Sequence, residues 1–250
     1  MDTAQTVAKA LGLLELLSKH KELSASQIIE KTEIHRSSAY RLLGTLQQLG
    51  YVRKNEHNGV YSLSPKILTL AQSVSESKDI KQIANPFIEE LQKTTEETVH
   101  LAILDNDTLV YLDKRESTKN LRVAMNSKTG NHAPLYCTGI GKVLLTGMPE
   151  HQLMEYLKNT KFVKYTQFTV SGIQELLTEL DLIKQQGYAE DKEEHEEGVY
   201  CIAAPVYDTD KNVVAAFSVS MPAVRRENVL KKDVIRHIKN TSEKISEAIR

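Results

Sequence analysis

Residues 23–63 read LSASQIIEKTEIHRSSAYRLLGTLQQLGYVRKNEHNGVYSL, and this stretch decides the fold of the first part of the chain. Ser24 followed by Gln27 is a capping box that opens a short helix with Ile28 and Ile29 on its apolar side. The segment 32–35 interrupts the periodicity. A second helix follows, with Ala39, Leu42, Leu43, Leu46 and Leu49 on one side and Ser37, Arg41, Gly44 and Gln48 on the other. Gly50 is its stop. Two short extended pieces, residues 51–54 and 60–63, flank a turn ending in Asn58-Gly59, a strong hairpin signal. Helix, turn, helix and hairpin outline a winged helix-turn-helix.

The chemistry of that outline suits double-stranded operator DNA. A recognition helix meets base edges with its N-terminal residues. Arg36, Ser37, Ser38, Tyr40 and Arg41 therefore become the candidate DNA contacts, and Gly44 leaves room for phosphate against backbone. Arg53 and Lys54 on the wing are candidates for neighbouring phosphates. The alternatives are a three-helix core whose polar face is merely solvated, or a winged helix that binds protein.

The 250 residues suffice for one large domain or two small ones. The net charge of −1 excludes a broadly basic nucleic-acid coat. Residues 1–65 hold eight Lys/Arg against six Asp/Glu, and a sequence-specific binder needs only a local basic face. Two cysteines, Cys137 and Cys201, do not make a secreted disulfide framework. No run approaches the ~18 apolar residues of a membrane helix, and the first residues lack the apolar core of a signal peptide. A cytoplasmic protein without membrane association is the expectation.

Elsewhere, Val7, Ala10, Leu11, Leu14 and Leu17 form a helical stripe, widened by Leu13 and Leu16, that is broad enough to pack inward and still meet a second subunit. Ser64-Pro65 opens another helix. Hydrophobicity falls over 73–79, where the domains connect. A helix is expected over 80–94, kinked or restarted by Pro86. Strands are expected over 99–104, 108–112, 121–125, 200–207 and 213–220, and helices over 139–145, 149–157, 173–186 and 226–249. The expected class is α+β on a mainly antiparallel sheet.

The chain resembles the IclR family of bacterial transcriptional regulators. The resemblance rests on TVAKALGLLELL, HRSSAYRLLGTLQQLGYV and GVYSLSPKILTLAQS in the first part. In the second it rests on TEETVHLAILDNDTLVYLDK, HAPLYCTGIGKVLLTGMP and EHEEGVYCIAAPVYDTDKNVVAAFSVSMP, of which APLYCTGIGKVLL is the most specific. It implies a two-domain α+β protein: a winged helix-turn-helix DNA-binding domain at 1–64, a linker helix at 65–79, and a GAF-like effector-binding domain at 80–250. It also implies a dimer or dimer of dimers that represses or activates a catabolic operon under control of a small organic or aromatic acid; a repressor controlled by a small organic acid is the expectation here.

The step from Cys137-Thr138 into Gly139-Ile140 offers unpaired amides and a positive dipole end, which suit a carboxylate. The resemblance implies that Gly139 and Ile140 present amides to the effector and that Gly139 keeps the approach open. It also points to Met125, Asp191, Cys201, Ser218 and Ser220. Ser218 and Ser220, two apart on a strand, share one face; they bond either a polar ligand or backbone. Gly139-x-Gly141-Lys142 departs from a nucleotide loop, having Tyr136 where glycine and Val143 where Ser/Thr would stand. Arg122 pairs an acid or is solvated. The acidic run 190–197, with His195, is a solvated loop by default, and no metal or cofactor is expected. The alternative from another class is a hydrolase on the C-terminal domain, using Cys137 or Cys201 with His100, His132 or His195, although no nucleophile elbow is present.

Overall fold

The computed structural model describes residues 4–72, 76–125, 127–226 and 228–249, with side chains at all of these except 71, 72, 76–79 and 228–232. Residues 73–75 of the expected connection lie outside them. The chain divides into two compact units, residues 1–75 and 76–250.

The first unit runs α1 (Gln5–Lys19), β1 (Leu23–Ser24), α2 (Ala25–Lys31), α3 (Arg36–Gln48), β2 (Val52–Lys54), β3 (Val60–Leu63) and α4 (Lys66–Gln72). The capping box forms: the Gln27 amide donates to Ser24 Oγ at 3.3 Å, and the Ser24 amide donates to Gln27 Oε1 at 2.8 Å. Helix α3 ends in a Schellman motif, with the Tyr51 amide on the Leu46 carbonyl, the Gly50 amide on that of Gln47, and Gly50 at φ +79°. Lys66 Nζ donates to the Leu49 carbonyl at 2.7 Å, placing a cation at the negative end of the helix. Leu13, Leu17, Ile28, Ala39, Leu42, Leu43, Leu46, Val52 and Tyr61 are buried together.

One expectation needs correction here. Leu49 is 52% exposed, because α3 closes one residue earlier and turns it out of the stripe. The stripe of α1 is split: Leu13 and Leu17 are in the core, while Val7 and Leu11 stand 57% and 55% exposed. The wing also gains a third strand, since β1 pairs with β3 and gives the sheet the order β1-β3-β2.

The second unit runs α5 (Glu76–Thr95), β4 (Thr98–Asp105), β5 (Thr108–Arg115), β6 (His132–Pro134), α6 (Gly139–Thr146), α7 (Glu150–Asn159), α8 (Ile173–Gln186), β7 (Ala189–Lys192), β8 (Val199–Tyr207), β9 (Val213–Pro222), a 3-10 turn at Ala223–Arg225, and α9 (Asn228–Ile249). Its six strands are antiparallel in the order β6-β5-β4-β9-β8-β7. Alternation along the strands sorts the two faces. Val99, Leu101, Ile202, Phe217, Val219 and Met221 pack with α5 and α9. Ala102, Ala203 and Ala216 lie on the opposite face, where their small side chains let α6 sit close. Gly141 is required there: a Cβ would stand 2.3 Å from the Leu135 carbonyl oxygen.

Pro86 neither ends nor restarts a helix, since α5 runs unbroken from Glu76 to Thr95. Residues 121–125 are not a strand. The carbonyls at the two ends of this segment are taken by side chains instead of a ladder: Arg225 donates to Leu121 at 2.8 Å and Lys114 Nζ to Met125 at 3.3 Å. Arg122, expected on that strand, is exposed.

Candidate DNA-binding face and ligand cavity

Burying the Ala39, Leu42, Leu43 and Leu46 edge of α3 turns its other edge to solvent. Arg36, Ser37, Tyr40, Arg41 and Gly44 are exposed, and Ser38 is half-buried beside them. The Arg36 guanidinium lies 5.9 Å from the Tyr40 ring centroid, a contact that holds a cation at the start of the helix. Nothing lies within 4 Å of where a Gly44 Cβ would be, so backbone can be approached closely at that point. Arg53 and Lys54 are exposed on β2, with Lys54 Nζ 5.9 Å from the Tyr61 ring. The turn before β3 is stabilised by Asn55 Oδ1 accepting from the His57 amide at 2.9 Å and by Gly59 at φ +70°.

In the second unit a cavity opens between the start of α6 and the Ala/Ser face of the sheet. All seven candidate effector residues line it: Met125 from the β5–β6 connection, Gly139 and Ile140 from α6, Asp191 from β7, Cys201 from β8, and Ser218 and Ser220 from β9. Strand register explains the convergence. Ser220 is opposite Cys201, which is opposite Asp191, so one row of side chains crosses three strands on one face. The space inside is about 60 Å³, and a water-sized group needs ~10–15 Å³ on that measure, which suits a ligand of only a few heavy atoms.

The helix start carries a side-chain cap. Thr138 Oγ1 accepts the Gly141 amide at 3.1 Å, and the amides of Gly139 and Ile140 have no partner inside the helix. Gly139 has a packing role that its sequence context did not reveal. Its Cβ would press on Ala203 Cβ at 3.3 Å and Asp191 Cβ at 3.7 Å, so a larger residue there lifts α6 from the sheet as well as narrowing the cavity.

The acidic run is not a solvated loop. Asp191 and Glu194 are buried. Lys142, also buried, explains why: its Nζ reaches Glu194 Oε1 and Glu179 Oε2, each at 2.6 Å. Burial opposes the Lys142 charge, but Glu194 and Glu179 outweigh it and hold the ammonium ionised. Burial and the neighbouring Glu194 push the Asp191 carboxyl up to about 7, against the opposing pull of Lys142. Asp191 Oδ1 accepts the Glu194 amide at 2.8 Å. Lys142 is thus committed to carboxylates and is not a phosphate-loop lysine. The His195 ring packs on Tyr165 at 4.8 Å, and among the described residues no group of three His, Cys, Asp or Glu is placed to hold a metal ion.

Sequence reasoning assigned no ligand role to His100, Tyr111, Ser127, His132 and His195, which also line the cavity. His100 had a signal: a polar residue between Val99 and Leu101 must face away from their apolar layer. The Oγ atoms of Ser218 and Ser220 are 3.5 Å apart, and Ser220 Oγ is 3.3 Å from His100 Nδ1. The thiols are poor nucleophiles. Burial, with Asp191 beside it, pushes Cys137 up to about 12 and holds Cys201 well above the usual thiol range. His100 is driven down to about 3 by burial and by Lys114, so it is a weak base.

Residues 6–56 match the IclR helix-turn-helix domain, and residues 72–247 match the bacterial transcriptional regulator IclR C-terminal domain. The chain belongs to the IclR family. It is 36% identical over 246 residues to the HTH-type transcriptional regulator KdgR of Dickeya chrysanthemi, covering 98% of this chain and 80% of that one. The IclR crystal structure from Thermotoga maritima superposes with a TM-score of 0.83 at 31% identity, over 99% of both chains. An IclR homolog from Microbacterium hydrocarbonoxydans, complexed with 4-hydroxybenzoate, superposes at 0.85 over 98% of this chain and 99% of its own; at 20% identity that likeness is one of fold. This IclR-family chain is therefore a DNA-binding transcriptional regulator. No helix among its described residues is long and apolar enough to cross a membrane.

Proposed function

We propose that this regulator is a repressor of a catabolic operon whose operator affinity is set by a small organic acid bound in the cavity at the start of α6. The observation that carries the reading is the convergence of Met125, Gly139, Ile140, Asp191, Cys201, Ser218 and Ser220, from five separate segments, on one small polar cavity at a helix N-terminus. The carboxylate meets the Gly139 and Ile140 amides, and the hydroxyls of Ser218 and Ser220 take the rest of the ligand. The Microbacterium homolog of the same fold is complexed with an aromatic hydroxy acid, which is compatible in kind.

Arg36, Ser37, Ser38, Tyr40 and Arg41 read the major groove in this proposal, and Arg53 and Lys54 hold phosphate. One winged helix reads little sequence, so two copies bind a near-palindrome with half-sites about 34 Å apart. Exposed Val7 and Leu11 on α1 and Leu68 on α4 supply apolar surface for the second copy, and a further pairing would give a dimer of dimers. An effector regulates only by preferring one of two arrangements of the protein. The domain division at 1–64, 65–79 and 80–250 gives that preference a route along the linker.

The test is a gel shift with the full chain on DNA upstream of its own gene, with and without a panel of small hydroxy and keto acids. Ser220→Ala should blunt the acid response while leaving acid-free DNA binding within about twofold of the parent. A Ser220→Ala protein that responds like the parent removes Ser220 from the site. A pocket variant that fails to bind DNA without acid overturns the separation of the two functions.

A further inference from the structure

His100 sits in the middle of β4, opposite Ser218 in the register, and its ring faces the cavity against Tyr111 at 5.2 Å. It bridges two serines from distant segments. Nε2 is 2.8 Å from Ser127 Oγ, and Nδ1 is 3.3 Å from Ser220 Oγ. Both serines are buried, and both line the cavity.

Burial and the nearby Lys114 ammonium keep this imidazole neutral. A neutral imidazole has one N–H and one bare nitrogen. It therefore donates to one serine and accepts from the other. The serine that receives the ring N–H keeps its own O–H for the cavity. The serine that gives its proton to the bare nitrogen has only lone pairs left to offer. Changing the tautomer exchanges the two roles but cannot make them equal. Ser218 Oγ lies 3.5 Å from Ser220 Oγ, longer than an ordinary O–H···O bond, so it relieves the constraint on Ser220 only weakly.

We infer that His100 is a specificity-determining residue that makes Ser127 and Ser220 present one donor and one acceptor to the ligand, selecting an acid that carries a hydroxyl over the keto acid of the same skeleton. The inference rests on the proposal that the cavity takes an organic acid. A hydroxy acid brings acceptor oxygens for the donor serine and an O–H for the acceptor serine. A keto acid brings acceptors only and leaves one buried serine oxygen without a donor. His100 acts through the two serines, so it is a positioning residue.

The experiment is calorimetric titration of the full chain with pyruvate and with each enantiomer of lactate, for wild type, His100→Phe and His100→Asn. These three-carbon acids suit the space available. In wild type the better lactate enantiomer should bind at least about fivefold more tightly than pyruvate, the scale of one buried group left unpaired. Phe removes the bridge, and the Asn amide is too short to span both serines. In either variant both serines lose the ring that fixes their protons, and the lactate-to-pyruvate ratio should fall towards one even if overall affinity drops. A general packing defect would weaken both acids together and leave the ratio in place. A wild-type ratio of one or below, or a ratio unchanged in the variants, overturns the role of His100 while sparing the organic-acid reading. Binding of none of these acids at millimolar concentration overturns both. Nitrogen-15 shifts of His100 in wild type check the premise without a ligand: one protonated and one bare ring nitrogen at pH 7 are expected, and a doubly protonated ring overturns the inference.

Discussion

Asp191 should make acid binding depend on pH around neutrality. Its carboxyl lies in the cavity wall beside the proposed carboxylate position, and burial with Glu194 raises it to about 7. Glu194, Lys142, Cys201, Glu196 and Tyr111 are the charged and titratable groups that share this corner, with His195 next in the chain. If an anionic ligand binds only when Asp191 is protonated, its apparent dissociation constant scales as one plus ten to the power (pH − 7). That factor is about 1.1 at pH 6, about 2 at pH 7 and about 11 at pH 8, so affinity should fall by about tenfold from pH 6 to pH 8. The sign follows from the raised acid: protonation, favoured below 7, removes a negative charge that repels the ligand. Lactate stays ionised across this range and contributes no slope. Calorimetry at pH 6, 7 and 8 reads the effect, with Asp191→Asn as the control, since a neutral amide of the same shape should abolish the slope and bind at pH 8 about as tightly as the parent at pH 6. A flat wild-type profile, or an equal slope in Asp191→Asn, would refute the assignment.

The other expectations concern DNA, core and helix. Arg41→Ala should weaken operator binding by ~1–3 kcal/mol if Arg41 reads a guanine, whereas Arg53→Ala should weaken all sequences alike and lower the salt slope by about one, both read by fluorescence titration over a range of salt. Lys142→Ala strands the buried Glu194 carboxylate and should cost ~3–5 kcal/mol in urea unfolding, with much of the loss recovered by adding Glu194→Gln. Gly44→Ala meets open space on α3 and should raise stability by ~0.5–1 kcal/mol, while weakening operator binding if phosphate approaches there; Gly141→Ala collides with the Leu135 backbone and should abolish folding of the second unit, judged by circular dichroism.

Local signals carried most of the first unit. The Ser24–Gln27 box, the leucine spacing of α3 and the Asn-Gly turn each specify their structure within a few residues. The failures there came where tertiary context outvoted spacing. Leu49 has the right period but stands beyond the last turn, and β1 is two residues long and exists only because β3 lies beside it. Residues 121–125 had strand propensity, but the carbonyls at 121 and 125 found side-chain donors from Arg225 and Lys114 instead. Propensity states what a segment prefers in isolation; partners distant in sequence settle what it does.

The cavity required the same distinction at longer range. Ser218 and Ser220 share a face by simple alternation, and that much was legible. Their alignment with Cys201 and Asp191 depends on the register of β8 against β9 and β7, which no local pattern encodes. Lys142 is the sharper case. Its glycine neighbours resemble a phosphate loop that Tyr136 and Val143 rule out, leaving Lys142 without a role, and the run 190–197 suggests a solvated acidic loop. Each becomes intelligible only beside the other: an ammonium with two carboxylates at 2.6 Å can be buried at tolerable cost, and either partner alone cannot. Burial first and Glu194 second raise the Asp191 carboxyl, while Lys142, already shared between Glu179 and Glu194, pulls the other way. A ligand carboxylate entering at Gly139 would therefore meet amides and helix dipole on one side and a readily protonated acid on the other.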